Sequence, residues 1–229
     1  MRKTTNFLSV LLLAIGITNL PSVAGANQIS SSSQAAFADI ALKAPKNSTQ
    51  SFEGTGDDVI DVAKIKESVI ITFTHDGDSN FSVISKSPDD DYLDLLVNEI
   101  GPYRGTVIQE LGRSWMGTST LGMLEISADG DWTVSIKPLS KAKKWNGKPL
   151  SGSGDLVLKV PKGVAAKNKL SMRHSGDSNF AVITYSSKGK YLDLKANEIG
   201  NYTGKKTFGK GVSYIVIQTQ GDWKISKKK

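Results

Sequence analysis

A short run of oxygen-bearing side chains is the first part of the chain that could do chemistry. Asp76, Asp78 and Asn80 alternate along residues 75–80. This spacing opens many calcium-binding loops, because alternating oxygens converge on a hard cation. A tight turn explains the same letters, since Gly77 supplies unusual backbone angles and Asp78 and Asn80 bond to nearby amides. The sequence therefore leaves two interpretations, a calcium site or a turn without metal.

The histidines are the second group that could do chemistry. His75 and His174 are the only histidines of the chain, and neither lies within a hydrolase signature. A zinc site would need more histidine or cysteine ligands than one histidine supplies. Glu99 and Glu198 could act as general acids, but each lacks an obvious second carboxylate. We therefore predict no enzymatic activity, with a hydrolase using His75 or Glu99 as the weakest alternative, and expect the histidine nitrogens to fasten the following turn.

The elements that position these residues occur twice. His-x-Gly-Asp-Ser-Asn-Phe-x-Val-Ile begins at His75 and at His174, and Tyr-Leu-Asp-Leu-x-x-Asn-Glu-Ile-Gly-x-Tyr-x-Gly begins at Tyr92 and at Tyr191, each pair 99 residues apart. Equal spacing without a gap indicates an internal duplication. We call residues 54–138 the first module and residues 152–229 the second module. A module that is reused whole favours binding or scaffolding over catalysis.

Each module predicts an all-β fold. Its runs are short, β-branched or aromatic, alternating, and separated by Gly, Asp, Asn and Ser. So many short strands must fold over as a β-sandwich or a jelly-roll-like barrel in order to bury their apolar side chains. The first module carries eight more residues before its Gly-Asp-Trp, in a surplus that includes residues 113–120.

Three side chains of each repeated block have an expected place. We expect the Trp of Gly-Asp-Trp to enter the core and the Ile of Asn-Glu-Ile-Gly to point inward. The Tyr that follows this Ile should bury its ring and bond a backbone group, as a tyrosine does at a sandwich corner. These residues are Trp132, Ile100 and Tyr103 in the first module, and Trp223, Ile199 and Tyr202 in the second.

The N-terminal run is typical of export. Arg2 and Lys3 precede an apolar stretch that is too short for a bilayer span, and Ala24-Gly25-Ala26 fits a cleavage site. We therefore expect a signal peptide at 1–26, a flexible leader at 27–53, and a secreted or cell-surface protein with no transmembrane segment in its mature form. The chain has no cysteine, so no disulfide stabilises it.

The charge differs sharply between the modules. Residues 54–138 carry 6 Lys and Arg against 15 Asp and Glu, whereas residues 152–229 carry 15 against 5. The segment 139–151 is an expected basic linker. Such asymmetry concerns partners and solubility rather than fold. It leaves two interpretations, binding of an anionic envelope polymer or docking of oppositely charged modules within or between chains. We expect no specific binding of a nucleic acid.

The candidate ligand-binding residues follow from this asymmetry and from two unmatched tryptophans. Trp115 and Trp145 have no counterpart in the other module, so each is a candidate platform for a sugar ring or a protein partner. The alternative is that they fill the gap between the modules. The basic candidates lie in the linker and at the C-terminus, and they are Lys143, Lys144, Lys227 and Lys228.

The repeated motifs together resemble an uncharacterised domain of secreted bacterial proteins. The similarity rests on Gly-x-Gly-Asp, His-x-Gly-Asp-Ser-Asn-Phe-x-Val, Asn-Glu-Ile-Gly-x-Tyr-x-Gly and Gly-Asp-Trp, which occur in both modules. The resemblance implies no activity. We therefore expect a secreted or envelope-associated binding protein whose ligand is an anionic or glycan polymer. The alternative is a structural or adhesive envelope component that assembles through its oppositely charged modules.

Overall fold

The computed structural model describes residues 48–114, 117–165 and 167–229, and for residues 113, 114, 117 and 118 it describes the backbone alone. The expected signal peptide, most of the expected leader, and Trp115 lie outside the described residues. Almost every described segment is a strand, joined by short turns. The prediction of an all-β fold is confirmed.

The first module is a sandwich of two antiparallel sheets. Their strand orders are β1-β10-β3-β6 and β2-β9-β4-β5. The extra residues of this module form a separate hairpin, β7-β8, close to where the sequence placed the surplus. The strands are β1 (Gln50–Thr55), β2 (Asp58–Ile65), β3 (Val69–His75), β4 (Asn80–Lys86), β5 (Tyr92–Ile100), β6 (Tyr103–Gln109), β7 (Gly112–Ser114), β8 (Gly117–Ser119), β9 (Leu121–Ser127) and β10 (Asp131–Pro138).

The second module repeats this arrangement. Its sheets are β12-β19-β14-β17 and β11-β13-β18-β15-β16, in which the short β11 is parallel to β13. A 3-10 turn (Leu139–Lys141) precedes it, and one short helix, α1 (Lys162–Ala165), lies within it. The strands are β11 (Lys143–Lys144), β12 (Leu150–Ser153), β13 (Leu156–Lys159), β14 (Lys169–Ser175), β15 (Asn179–Tyr185), β16 (Tyr191–Ile199), β17 (Tyr202–Thr207), β18 (Tyr214–Gln218) and β19 (Asp222–Lys228).

The repeated motifs lock each sandwich at one end. Trp132 is buried, and its indole N–H donates to the carbonyl of Gly56 at 2.9 Å. The ring lies so close to Gly54 that a Cβ there would overlap it. Asp57 accepts the backbone N–H of Ala128 at 2.9 Å. The Gly-x-Gly-Asp and Gly-Asp-Trp motifs are therefore one structural unit, and the prediction of a buried Trp is confirmed.

The second module contains the same lock. Trp223 is buried, and its indole N–H donates to the carbonyl of Gly154 at 2.9 Å. Asp155 accepts the backbone N–H of Thr219 at 2.7 Å, as its equivalent Asp57 does for Ala128. Equal motifs thus produce equal local structure in both modules.

The two modules are joined by an apolar junction rather than by a free linker. Ile70 and Ile108 on the outer face of the first module pack with Val157 and Val216 on the outer face of the second. Leu139 from the 3-10 turn completes the same cluster. Burial of apolar surface stabilises this junction by about 25 cal/mol for each Å² removed from water.

Two of the expected boundaries are wrong. Strand β1 begins at Gln50, so the end of the expected leader 27–53 belongs to the first sheet. The expected basic linker 139–151 contributes the 3-10 turn, β11 and the start of β12. The physical reason is burial, because Leu139, Ala142 and Trp145 in this segment lie in apolar clusters.

Candidate functional site

The outer face of the sheet β12-β19-β14-β17 carries a row of cations. Along β14 and β19 the inward residues are buried and the alternate residues are exposed. Arg173 pairs in register with Lys224, and Lys169 pairs with Lys228. Lys205 on β17 lies beside Ser171 on the same face. We call this surface the basic face, and its cationic side chains are Lys169, Arg173, Lys205, Lys224 and Lys228.

The cations of the basic face are held at regular spacing and have no acidic partner. Neighbouring strands lie about 4.8 Å apart, and alternate residues along a strand about 6.7 Å apart. Within the described ranges, none of these five side chains forms an ion pair with a carboxylate. A linear polyanion could therefore meet several unpaired cations at once without displacing an existing ion pair.

The first module has neutral side chains at four of the five equivalent positions. Thr72 and Thr106 share a hydroxyl hydrogen bond at 2.9 Å, and Thr74 and Thr133 share another at 2.6 Å. In the second module Thr106 is replaced by Lys205, Thr74 by Arg173 and Thr133 by Lys224. Lys169 likewise replaces Ile70, whereas Lys228 is matched by Lys137, so four of the five cations are specific to the second module.

The lysines named from the sequence do not share one surface. Lys143 and Lys144 form β11, at the edge of the opposite sheet of the second module. Lys227 is half-buried, and its backbone N–H donates to the carbonyl of Gly147 at 2.9 Å. Lys228 alone of the four lies on the basic face. The signal for the other members is the alternation of basic and apolar residues along β14 and β19, which places the basic ones on one side of each strand.

Trp145 is not an exposed platform. Its side chain is 3% exposed and packs in the core of the second module, with its ring 6.2 Å from that of Phe208. Its indole N–H donates to the carbonyl of Lys148 at 2.8 Å. The prediction of a ligand-binding Trp145 is wrong, because apolar burial and this hydrogen bond hold the ring inside the sandwich.

The candidate calcium residues form a turn. Asp76 accepts the backbone N–H of Asp131 at 2.7 Å. Asp129, rather than Asp78 or Asn80, accepts the turn's backbone N–H groups, at 3.2 Å from Asp78 and 3.0 Å from Ser79. Across the ranges that the structure describes, no group of three or more His, Cys, Asp or Glu side chains could hold a metal. The geometry therefore favours the turn over the calcium site.

The two histidines fasten the corners of their sandwiches. The Nδ1 atom of His75 lies 3.1 Å from the carbonyl of Gly101, and its ring stacks on Phe81 with centroids 4.5 Å apart. Its Nε2 lies 3.2 Å from Asp129, close enough for an ion pair but not aligned for a hydrogen bond. Buried between an aromatic ring and a backbone carbonyl, this histidine has a structural role.

His174 makes the same corner contact and a different second one. Its Nδ1 lies 2.7 Å from the carbonyl of Gly200, and its Nε2 lies 2.8 Å from the hydroxyl of Thr219. Both imidazoles thus join the Ile-Gly corner to the segment before the last strand. The histidines were expected to bond the turn directly after them. Their Nδ1 atoms instead bond the carbonyls of Gly101 and Gly200, so the expected bonding partner is wrong, although the role is structural as expected.

A polar clasp closes one side of the junction between the modules. The hydroxyl of Tyr103 donates to the Oδ2 atom of Asp155 at 2.7 Å. The backbone N–H of Thr106 donates to the carbonyl of Asp155 at 3.1 Å. Tyr103 therefore buries its ring as predicted, but its hydroxyl bonds a carboxylate of the other module instead of a nearby backbone group.

The clasp borders a cleft between the modules of about 440 Å³. Burial raises the pKa of Asp155, and hydrogen bonds from Tyr103 and Thr219 oppose this rise. Burial and the charge of Asp155 raise the pKa of Glu99. The second carboxylate that Glu99 lacked in sequence thus comes from the other module. Both oxygens of Asp155 accept hydrogen bonds, one from Tyr103 and one from the backbone N–H of Thr219, and these bonds fix the position of its carboxylate.

The isoleucines of the repeated block are exposed. Ile100 is 79% exposed and Ile199 is 83% exposed, so the prediction that they point inward is wrong. Val97 on β5 is buried, and alternation along the strand then turns Ile100 outward. A register shift near Leu96 sets this parity, and the sequence alone does not show it.

Comparison with known proteins adds little. No protein-family model matches the chain, and no curated protein matches it. The crystal structure of the PBSX exported protein XepA is similar at 10% identity over 80% of this chain and 87% of that chain, with a TM-score of 0.27. The stem and receptor-binding domain of the spike protein P1 from bacteriophage PM2 is similar at 7% identity over 81% and 80%, with a TM-score of 0.15. Neither similarity supports an inference about function.

Among the described residues, no helix is both long and apolar enough to cross a bilayer.

Proposed function

We propose that the protein binds an anionic polymer of the cell envelope through the basic face of its second module. The observation that carries this proposal is the set of five unpaired cations on one sheet face, at four of whose positions the first module has neutral side chains. Export of the chain remains a prediction from its N-terminal run. The protein acts by binding, without catalysis.

The physical basis is electrostatic and depends on spacing. A polyanion carries charges at short intervals along its length, and each cation that neutralises one of them releases a condensed counterion. Serine side chains at 171 and 226 lie between the cations, Ser151 lies beside Lys224, and all three offer hydroxyl groups to sugar or phosphate oxygens. The expected ligand is a charged polysaccharide or a similar anionic polymer. Its binding requires neither a particular nucleotide sequence nor a cofactor.

The test removes two cations from the basic face and two from elsewhere. The Arg173→Gln/Lys224→Gln variant loses a cross-strand pair of the basic face. The matched control, Lys162→Gln/Lys210→Gln, loses the same net charge at exposed positions in α1 and in the loop before β18. Binding of the chain without residues 1–26 to dextran sulfate is measured across a salt series, with uncharged dextran as the reference polymer.

The basic-face variant should bind more weakly, and the slope of log affinity against log salt should become shallower by about 1.5, since each released counterion contributes about 0.7 to 0.9. The control should keep a slope close to that of the unmodified chain. Equal losses in the two variants would show that net charge, rather than this face, governs binding. Equal binding to dextran and dextran sulfate would remove the electrostatic basis altogether.

The second candidate function is structural. The alternative from the sequence was an envelope component that assembles through its oppositely charged modules. One observation favours it. The junction packs one sheet of the first module against the other type of sheet in the second module. Each module therefore keeps one sheet face that the junction does not cover. Sedimentation at low and high salt distinguishes the candidates, since assembly produces salt-sensitive oligomers and simple polymer binding leaves a monomer.

A further inference from the structure

The junction between the modules joins a donor side to an acceptor side. The donor side belongs to the first module and consists of β3 and β6, with Ile70 and Ile108 facing outward. The acceptor side belongs to the second module and consists of β13 and β18, with Val157 and Val216 facing outward. Because the modules are duplicates, the second module also has a donor side and the first module also has an acceptor side.

The clasp residues recur at the two unused sides. Tyr202 is the equivalent of Tyr103, and Asp57 is the equivalent of Asp155. Tyr202 packs its ring near Phe180, as Tyr103 does near Phe81, but within the described ranges its hydroxyl has no hydrogen-bond partner. Asp57 is exposed, and its Oδ1 accepts the backbone N–H of Ala128. Its Oδ2 has no hydrogen-bond partner among the described residues. One unused donor and one unused acceptor therefore lie at opposite ends of the chain.

The unused acceptor side also exposes apolar surface. Val59 is 57% exposed, whereas its equivalent Val157 is 1% exposed because the first module covers it. Met123 on the neighbouring strand β9 and Ile84 on the strand beyond it, β4, lie on the same outer face and are half-buried. We call this surface the open face, and its outward residues are Val59, Asp61, Ile84, Lys86, Met123 and Glu125.

The charges at the two unused sides are complementary. At the donor side of the second module, Lys169 replaces Ile70 and Lys205 replaces Thr106. At the open face, Glu125 replaces Val216 and Asp61 replaces Lys159. Lys86, which replaces Tyr185 on the same face, pairs with Glu125 at 2.7 Å, so part of the charge of Glu125 is already balanced. The apolar contact of the internal junction is thus replaced by a contact between opposite charges around a smaller apolar centre.

We infer that copies of this chain assemble head to tail, with the donor side of one second module seated on the open face of the next first module. The contact repeats the internal junction, so the hydroxyl of Tyr202 donates to Asp57 of the next chain. This inference rests on the second candidate function and names its interface. Such a contact uses two different surfaces, so it does not close on itself and produces open oligomers.

Assembly leaves part of the basic face uncovered. In the internal junction Ile70 and Ile108 are buried, whereas the Thr74–Thr133 pair farther along the same face stays exposed. The equivalents of that pair are Arg173 and Lys224. An assembled chain can therefore still present these two cations to a polyanion. Substitutions at Arg173 and Lys224 test polymer binding, and substitutions at other residues test assembly.

The first experiment measures self-association of the chain without residues 1–26 by sedimentation velocity in about 20 mM and about 500 mM salt. Salt-sensitive oligomers are expected, because exposed charges are screened within about 3 to 10 Å at 1 M to 0.1 M salt. Tyr202→Phe and Asp57→Asn should each weaken association about tenfold, as expected for loss of a hydrogen bond to a carboxylate. The matched controls Tyr191→Phe and Asp177→Asn, both at exposed positions outside these surfaces, should leave it unchanged.

The second experiment exchanges charges. Lys169→Glu/Lys205→Glu and Asp61→Lys/Glu125→Lys should each be monomeric, and mixing the two variants in equal amounts should restore oligomers. Restoration in the mixture cannot result from misfolding of either variant. Oligomers of the unmodified chain that persist in all these variants would refute this interface while leaving assembly itself in place.

Two further results would overturn the inference. A monomer at every salt concentration would remove both the interface and the structural candidate function, since polar outer faces also serve to keep terminal repeats soluble. Assembly of residues 48–229 but not of the longer chain would show that the N-terminal segment, rather than a second copy, covers the open face.

Discussion

The Tyr103–Asp155 clasp gives the sharpest test of how the modules are held together. Tyr103→Phe removes one hydroxyl and leaves the ring in place. The lost hydrogen bond is 2.7 Å long and reaches a largely buried carboxylate. Hydrogen bonds to charged groups contribute about 1.5 to 3 kcal/mol. We therefore expect the variant to lose about 2 kcal/mol of unfolding free energy at neutral pH.

The chain contains its own control for this substitution. Tyr202→Phe removes the equivalent hydroxyl of the second module, which has no partner in the described part of the chain. Its cost should stay below about 0.5 kcal/mol, as for other substitutions that break no contact. The measurement is guanidinium denaturation followed by tryptophan fluorescence, at about 0.5 M salt and low protein concentration so that self-association does not contribute.

The cost of Tyr103→Phe should also depend on pH. Burial raises the pKa of Asp155, so the folded state loses stability as the pH rises from the ordinary aspartate range through this raised value. The hydroxyl of Tyr103 lowers the same pKa and limits this loss. Without it the pKa rises further, so the variant should be least destabilised in acid and most destabilised near neutrality.

Two results would refute the reasoning. Equal costs for Tyr103→Phe and Tyr202→Phe would show that the hydroxyl acts within its own module and not across the junction. A double-mutant cycle with Asp155→Asn offers the second result. A coupling energy below about 0.5 kcal/mol at neutral pH would mean that the two side chains do not stabilise each other.

Two further predictions concern residues that pack inside the fold. Gly105→Ala should destabilise the protein by several kcal/mol, roughly as overpacking does, because a Cβ would overlap the hydroxyl of Tyr103 and approach Asp155 to 2.9 Å. Gly163→Ala in α1 meets open space and should be neutral or slightly stabilising, so equal melting temperatures of the two glycine variants would contradict the prediction. Trp145→Ala should cost about 3 to 5 kcal/mol without weakening dextran sulfate binding in conditions where the variant stays folded. A selective loss of binding would restore the platform interpretation.

Much of the fold could be predicted from the repeats. Equal spacing of the motifs indicated two copies of one module, and the alternating β-branched runs predicted strands that the structure contains. The burial of Trp132 and Trp223 follows from their place at the start of the last strand of each module. These features depend on local sequence, in which a strand's alternation and a turn's glycine are visible within a few residues.

Other features depend on contacts between distant segments. The partner of Tyr103 is 52 residues away, and the neighbours of Trp145 come from strands later in the chain. Alternation shows which residues share a side of a strand, but it does not show which side turns inward. For this reason Ile100 was placed on the wrong side.

The sequence by itself determined the duplication, the β class and the opposite net charges of the modules. The tertiary structure decided where those charges lie and which faces remain open. Pairing of β14 with β17 and β19 collects Lys169, Lys205 and Lys224 on one surface, although they are widely separated along the chain. The same pairing in the first module gives a surface that the second module partly covers. Identical local sequence thus builds identical sandwiches, whereas the surfaces left for a partner depend on how the two sandwiches pack.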